Sequence, residues 1–235
     1  KQSAFAVARL ETAGAIVMGK TNLDQFATGL VGVRSPHGAP RSVFNKDYIS
    51  GGSSSGSAVA VAAGLAAFAL GTDTAGSGRV PAMLNNIVGL KPTRGLLSTT
   101  GVVPACRYLD CVSIFTATVH DARTVLGVAA AFDADDPYAR PAMPSMPQVG
   151  GPLRFGVPAA KDLEFFGDTS AQASFEQSVA LLTSLGGAAG EIDFTPFLEA
   201  AALLYVGPWV AERLSALRAF FDTQADAMHE VVRTI

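Results

Sequence analysis

The sequence predicts an α/β domain, and three observations support this. The chain has 235 residues, of which 49% are hydrophobic and 16% charged, so it can bury a sizeable core. Segments with helical periodicity alternate with short apolar runs that are typical of buried strands. Loops rich in glycine and serine separate many of these segments. Together they indicate an α/β domain with a mostly buried sheet.

The predicted elements follow one another in a regular order. Apolar residues at helical spacing predict the helices, and short apolar runs next to glycine or proline predict the strands. Ser55 or Ser57 would cap the second helix. In chain order we predict a helix at 3–12, a strand at 15–18, a helix at 58–64, strands at 67–71 and 87–93, a helix at 120–132, a strand at 153–158, and helices at 171–185, 197–206 and 210–221.

Five prolines between Asp133 and Pro152 interrupt the alternation. We interpret this stretch as a surface excursion within one domain of residues 1–235, not as a domain boundary. The chain stops at Ile235 in a helical-looking segment without a terminating signal. We therefore expect the domain to be incomplete at its ends.

Composition excludes two classes of partner. A formal net charge of −3 leaves no basic stripe for nucleic acid. The strongly apolar stretch at 58–70 is too short to span a bilayer, and the N-terminus lacks the features of a signal peptide. We therefore expect a soluble, cytoplasmic protein without a membrane partner.

The cysteines and histidines do not form a metal-binding pattern. Cys106 and Cys111 lack the CxxC spacing of a zinc site, and His37, His120 and His229 lie far apart in the sequence. We expect the cysteines to be buried free thiols and the histidines to be surface or capping residues. No metal site is predicted.

The segment "SGGSSSGSA", from Ser50 to Ala58, has three interpretations. It could be a flexible linker, but it leads directly into an alanine-rich helix. Gly52 to Gly56 also matches G-x-S-x-G, which would make Ser54 the nucleophile of an elbow, although the preceding "NKDYIS" is too polar for the strand that an elbow needs. The third interpretation pairs this loop with a second loop, "GTDTAGSGR".

Ser77 lies in that second loop, directly after a predicted strand. The main-chain N–H groups of the small residues Thr74, Ala75 and Gly76 can point to one place, as an oxyanion hole requires. A serine nucleophile still needs a base. With no histidine nearby in sequence, a second serine that relays the proton to a neutral lysine is one way to supply it.

The stretch from Gly51 to Ala82 resembles the signature of the amidase signature family of serine hydrolases, and similar residues extend the resemblance over 3–122. The resemblance implies a mixed central sheet covered by helices, Ser77 as the nucleophile, and Ser53 as the bridging serine after a cis bond from Gly52. It also implies a small-molecule substrate, no metal or organic cofactor, and a possible homodimer.

Three segments are similar to the members of this family that hydrolyse allophanate, the carboxylated urea formed in urea or cyanuric acid breakdown. They are "TNLDQFATGLVGVRSPHGAP", "PACRYLDCVSIF", in which Tyr108 replaces a more usual serine or threonine, and "LLYVGPWVAERL". The resemblance implies that Tyr205 and Arg213 hold the substrate. A guanidinium fork suits a carboxylate. The alternative is that Arg213 is a solvated helix arginine.

The catalytic lysine of the family lies far upstream of the first serine loop, in a "VKDN"-like strand, and that motif is absent here. Lys1, Lys20 and Lys91 do not match it. We therefore expect a longer or an incomplete enzyme, and at most trace allophanate hydrolysis from residues 1–235 alone.

We also expect the hydroxyls of Ser53 and Ser77 to lie within hydrogen-bond reach, with no lysine of this chain close enough to complete the relay. Two other functions stay open. The chain could belong to a different amidase or to an amidotransferase, or it could be a catalytically inactive scaffold that keeps the loops for packing.

Overall fold

The computed structural model describes residues 2–141, 151 and 153–235, which form two compact units. The first unit comprises Lys1–Pro144 and Ala211–Ile235, and the second comprises Ser145–Val210. The boundary near residue 144 falls inside the proline-rich stretch, where we expected none, and 142–150 and 152 of that stretch lie outside the described residues. The assignment of 1–235 to a single domain stays a prediction.

A three-stranded antiparallel sheet is the centre of the first unit. Its strands are β1 (Phe68–Asp73), β2 (Val88–Leu90) and β3 (Cys111–Thr116), in the order β1-β3-β2. Phe68 pairs with Thr116, and Asp73 pairs with Cys111 at the opposite end. Every residue of β3 is buried, as expected for a central strand.

Helices cover both faces of this sheet. Because side chains alternate along a strand, Val112 and Ile114 of β3 point to one face and Phe115 to the other. The first face packs against α1 (Phe5–Thr12) and α4 (Val119–Ala129), and the second against α2 (Ser55–Ala62) and α3 (Val80–Leu84). Each large apolar side chain buried in these layers contributes about 1.5–3 kcal/mol. The first unit also contains most of α7 (Trp209–Gln224) and all of α8 (Glu230–Thr234), which lie in its segment Ala211–Ile235.

The second unit contains a parallel pair of strands. β4 (Arg154–Pro158) pairs with β5 (Ala188–Ile192), and α5 (Thr169–Ser184) lies between them in sequence. Parallel strands need such a crossover connection. The unit also contains α6 (Thr195–Val206). Antiparallel and parallel pairing with covering helices confirm the α/β class.

The helices at 3–12, 58–64, 120–132, 171–185, 197–206 and 210–221 are confirmed within a few residues, as are the strands at 67–71, 87–93 and 153–158. The strand at 15–18 is wrong. Ile16 and Met18 are 83% and 81% exposed, and the segment pairs with no strand of the described residues. The helix cap is also wrong, because α2 begins after Ser54 and contains Ser55 and Ser57.

Two strands were missed. β3 was not predicted, although its sequence "CVSIFT" is rich in the β-branched and aromatic residues that favour strands. β5, "AAGEI", has weak strand propensity, and pairing with β4 decides its conformation.

The cysteines and histidines are placed as expected. Cys106 and Cys111 are buried free thiols. His37 and His120 are exposed, and His229 accepts a hydrogen bond from the Val231 N–H at the start of α8. Over the described ranges, no three His, Cys, Asp or Glu side chains gather as metal ligands, and no helix combines the length and apolarity needed to cross a membrane.

Candidate active site

The second serine loop is organised by the fully buried carboxylate of Asp73 at the end of β1. This carboxylate accepts hydrogen bonds from the N–H of Gly76 at 2.7 Å and of Gly78 at 3.1 Å. It also accepts two from the Arg79 guanidinium, at 2.9 Å and 3.0 Å. Ser77, which is 3% exposed, lies between the two glycines. The residues on both sides of Ser77 are therefore hydrogen-bonded to the same carboxylate.

The hydrogen bonds keep Asp73 ionised. Burial alone raises the pKa of this carboxyl, but the bonds from Arg79, Gly76 and Gly78 outweigh it, so the pKa of Asp73 lies below its usual value. The same contact with Asp73 raises the pKa of Arg79. The charge that holds the loop is thus present throughout the neutral pH range.

The predicted oxyanion donors differ in what they bind. The N–H of Gly76 already donates to Asp73, so an oxyanion would have to share or displace that bond. Within the described part of the chain, the N–H groups of Thr74 and Ala75 donate to no acceptor. Gly76 has a φ of 130°, which favours glycine, so this turn needs the residue that the motif supplies.

The first serine loop is bound by the main chain of Asp24, whose carboxylate is also fully buried. Asp24 accepts from the N–H of Gly32 at 3.0 Å and of Arg34 at 2.8 Å, and its own N–H donates to the carbonyl of Ser53 at 2.9 Å. The Gly52–Ser53 peptide bond is cis, at the position that the resemblance implied. A Cβ at Gly52 would lie 2.2 Å from Asp24 Oδ2, so only glycine fits there.

Ser53 differs from its neighbours in the first loop. Its hydroxyl is fully buried and has no hydrogen-bond partner among the described residues. Four other serines donate to main-chain carbonyls: Ser50 to Gly51, Ser54 to Thr72, Ser55 to Asn22 and Ser57 to Leu70. Ser54 also accepts from the Thr72 N–H. This pair of hydrogen bonds to β1 gives Ser54 a structural role and counts against the nucleophile elbow.

We expected the hydroxyls of Ser53 and Ser77 to lie within hydrogen-bond reach, but Ser53 Oγ forms no hydrogen bond with Ser77 or with any other described residue. The second loop is fixed by the Asp73 carboxylate and the first is bound by the main-chain N–H of Asp24, so neither loop depends on a bond between the two serines. The described lysines do not bind Ser53 either: Lys20 is exposed, and Lys91 donates to the Pro92 carbonyl at 3.2 Å. Lys1 lies outside the described residues.

Arg213 lies on α7, and its guanidinium is only partly satisfied. Nη1 donates to the hydroxyl of Thr28 at 3.1 Å. Nε is buried and, within the described ranges, has no acceptor. Arg213 is therefore not a freely solvated helix arginine. A buried donor without a partner is costly, so this edge of the guanidinium is suited to an added acceptor.

The carboxylate of Asp110, which the charge of Arg213 influences, binds other groups. Burial raises the pKa of Asp110, while bonds from Thr74 and from the N–H groups of Cys106 and Ala105, and the nearby charge of Arg213, lower it. The Thr74 hydroxyl donates to Asp110 at 2.5 Å. Asp110 thus connects the region of Arg213 to the Ser77 loop, yet no ion pair with Arg213 occurs among the described residues.

Glu212, next to Arg213, caps the loop of the paired cysteines. Its carboxylate accepts from the Cys106 thiol at 3.3 Å and from the Tyr108 N–H at 2.9 Å. Burial, then the contact with Glu212, raises the pKa of Cys106 to about 11, so this thiol is unreactive. Tyr108 contributes its main chain to this contact, so its unusual side chain leaves the contact intact.

Tyr205, the other predicted substrate residue, lies on α6 in the second unit and is 52% exposed. The first unit holds Ser53, Ser77 and Arg213. A joint site that includes Tyr205 stays a prediction.

Four residues of this arrangement were missed from the sequence: Thr28, Asp24, Asp73 and Asp110. Asp73 had a visible signal, because it directly follows a strand and precedes a glycine-rich turn. The other three act on residues distant in sequence, which no local pattern shows.

The chain resembles known proteins in sequence over most of its length. The family model described as Amidase matches residues 1–235. The urea amidolyase of Lachancea kluyveri is 51% identical over 218 residues, which are 92% of this chain and 12% of that protein. A glutamyl-tRNA(Gln) amidotransferase subunit from Symbiobacterium thermophilum is 40% identical over 97% of this chain and 49% of its own length.

Solved structures show the same fold. Kluyveromyces lactis allophanate hydrolase superposes with a TM-score of 0.93 at 47% identity, over 99% of this chain and 38% of that one. The chain thus spans a small part of the urea amidolyase and less than half of the hydrolase that it matches.

Proposed function

Because the chain belongs to the Amidase family, we propose that it is part of an enzyme that hydrolyses allophanate through an acyl-enzyme at Ser77. The observation that carries the proposal is that Ser54 binds the first serine loop to Thr72 of β1, the strand that leads into the Ser77 loop, while the buried Ser53 hydroxyl has no partner among the described residues. The similarity to urea amidolyase and to allophanate hydrolase supports the substrate.

In the proposed reaction, Ser77 Oγ attacks the carbamoyl carbon of allophanate. Its proton passes through Ser53 to a base, the family's lysine, which none of the described lysines supplies. The C–N bond then breaks and the nitrogen takes up a proton and leaves as ammonia. Water hydrolyses the acyl-enzyme, and the released N-carboxycarbamate loses carbon dioxide to give carbamate, which decomposes to ammonia and carbon dioxide.

The charge that develops in this reaction needs donors. The N–H groups of Thr74 and Ala75 are proposed as the oxyanion hole, with Gly76 contributing only if its bond to Asp73 is shared. Arg213 is proposed to bind the substrate carboxylate through its Nε edge, with Tyr205 contacting the substrate from α6.

An amidotransferase is the second candidate, since the chain is 40% identical to a subunit of one over 97% of its length. The fold separates the two candidates poorly, because solved structures of both classes superpose on this chain. The charge of the substrate separates them better. Arg213 Nε has no acceptor within the described part of the chain and can donate to an anionic substrate.

We also propose a role in urea degradation in the cytoplasm, where reducing conditions keep Cys106 and Cys111 as thiols. Formation of allophanate in cyanuric acid breakdown is a further proposed source of substrate. Assembly as a homodimer is proposed as well, and light scattering of the whole protein tests it.

The test of the function is ammonia release by the whole protein from allophanate and from a neutral amide such as biuret. We expect turnover of allophanate, and we expect Arg213→Gln to lower kcat/KM for allophanate by about 10- to 100-fold more than for the neutral amide, because a hydrogen bond to a charged group contributes about 1.5–3 kcal/mol. No release from allophanate would overturn the proposal. Equal losses on both substrates would assign Arg213 a structural role.

A further inference from the structure

The turn at 24–28 connects the two parts of the proposed site. At one end, the Asp24 N–H donates to the Ser53 carbonyl at 2.9 Å. At the other end, the Thr28 hydroxyl accepts from Arg213 Nη1 at 3.1 Å. The bridging serine and the guanidinium are thus both attached to one short turn.

This turn is itself fixed against α7. Phe26 packs edge-on against Phe220, with ring centroids 5.2 Å apart. Phe220 follows Arg213 by seven residues, so the two lie on the same face of the helix. Phe26 and Ala27 both have left-handed backbone, with φ of 52° and 55°, which non-glycine residues rarely adopt. Such a conformation persists only where the surroundings hold it.

Thr28 presents its hydroxyl in one orientation. The side chain is 1% exposed, and Oγ1 donates its single proton to the Phe26 carbonyl at 3.3 Å. Its lone pair is therefore left to accept from Arg213 Nη1. With Nη1 held, Nε is the buried nitrogen of the guanidinium that has no acceptor in the described part of the chain. Nε and Nη2 together form a fork that fits a carboxylate.

We infer that Thr28 is a positioning residue that sets the orientation of Arg213 and thereby the preference for an anionic substrate. The inference rests on the proposed function. Asp110 and Glu212 accept hydrogen bonds from other donors, and neither forms an ion pair with Arg213 among the described residues. Thr28 does not touch the substrate and acts through Arg213.

The experiment compares Thr28→Val with Thr28→Ser in the whole protein. Thr28→Val keeps the shape and loses the acceptor, so KM for allophanate should rise by about 10- to 100-fold with a smaller change in kcat, because the lost contact holds substrate before the reaction. Thr28→Ser keeps the hydroxyl and should stay within about 3-fold of wild type. In an Arg213→Gln background, Thr28→Val should change KM by less than about 2-fold, since the two residues act through one contact.

Thr116→Val is the matched control. It also removes a buried threonine hydroxyl, which donates to the Thr118 carbonyl, but it lies at the end of β3 opposite to Asp73. Its KM for allophanate should be unchanged, and its melting temperature measures the cost of losing such a hydroxyl. If Thr28→Val does not fold, Thr28→Ala and Thr28→Ser provide the same comparison.

The outcomes separate the two claims. Unchanged KM in Thr28→Val, or an equal effect with and without Arg213, overturns the inference and leaves the proposed function standing. A wild-type protein that leaves allophanate intact overturns both.

Discussion

The two serine loops reach similar rigidity by different means. The loop at 73–79 carries its own anchor, since Asp73 binds the N–H of Gly76 and Gly78 and the side chain of Arg79, all within six residues. The loop at 50–57 contains no charged residue and depends on Asp24, which comes from a separate segment and binds the main chain of Ser53.

This difference shows how each loop can fail. The second loop is closed by local bonds and an ion pair, so its shape depends on one side chain. The first is held by many neutral bonds, from serine hydroxyls to the main chain of neighbouring segments. We therefore expect single substitutions to damage the second loop more than the first.

The largest expected effect separates the nucleophile from a structural serine. Ser77→Ala should lower kcat for allophanate by about 10⁴- to 10⁶-fold, since without the nucleophile only binding and the oxyanion hole remain. Ser54→Ala is the control in the first loop and should keep most of the activity. Circular dichroism should show an unchanged fold for both, and near wild-type turnover by Ser77→Ala would contradict the assignment.

The next effect compares two buried carboxylates: that of Asp73, which binds the second loop, and that of Asp24, which binds the main chain of Gly32 and Arg34. Asp73→Asn should lower the free energy of unfolding by about 2–4 kcal/mol. Arg79 loses its charged partner, and the NH₂ group of the new amide faces N–H donors from which the carboxylate had accepted hydrogen bonds. Asp24→Asn should cost less, about 1–2 kcal/mol, because the described residues place no cation in an ion pair with Asp24. Urea unfolding measures both, and a larger loss for Asp24→Asn would reverse the comparison.

The pH dependence of the Asp73 anchor has a defined sign. Despite burial, its hydrogen bonds lower the folded pKa of Asp73 below the unfolded value, so its stabilisation is complete above about pH 4 and is lost as the pH falls through the folded pKa. The stability difference between wild type and Asp73→Asn should therefore shrink from pH 6 to about pH 3.

Asp110 provides the control of opposite sign. Burial raises its folded pKa, so its contribution is greatest in acid and falls as the pH rises through that pKa. The stability difference between wild type and Asp110→Asn should therefore fall with rising pH. Denaturant unfolding between about pH 3 and 7 measures both series, and parallel curves would contradict the opposite signs.

The smallest effect on stability distinguishes two adjacent serines of the first loop. Ser54→Ala removes bonds to Thr72 and should cost about 1 kcal/mol of stability. Ser53→Ala removes a buried hydroxyl that has no partner in the described structure, so stability should be unchanged or higher by about 1 kcal/mol, while activity falls by about 10²- to 10⁴-fold. Thermal unfolding and initial rates measure the pair. A loss of stability in Ser53→Ala with full activity would contradict the relay.

Much of the first unit could be predicted from the sequence. The helices α1, α2, α4 and α7 and two of its three strands follow from periodicity, whereas α3 was not predicted, and the cis bond before Ser53 followed from the family resemblance. The strand at 15–18 failed because apolar β-branched residues form a strand only where a neighbour pairs with them, and β3 was missed because its residues are buried on both faces and do not alternate.

The sequence by itself determined the two glycine-rich loops, the buried thiols and the position of Ser77, because these depend on residues close together in the chain. Only the tertiary structure decided which serine hydroxyl stays unbonded and which groups hold Arg213. Thr28 and Arg213 are 185 residues apart, and Cys106 and Glu212 are 106 apart. Backbone conformation is set locally by glycine geometry and nearby N–H groups, whereas contacts between distant segments depend on how helices pack on the sheet.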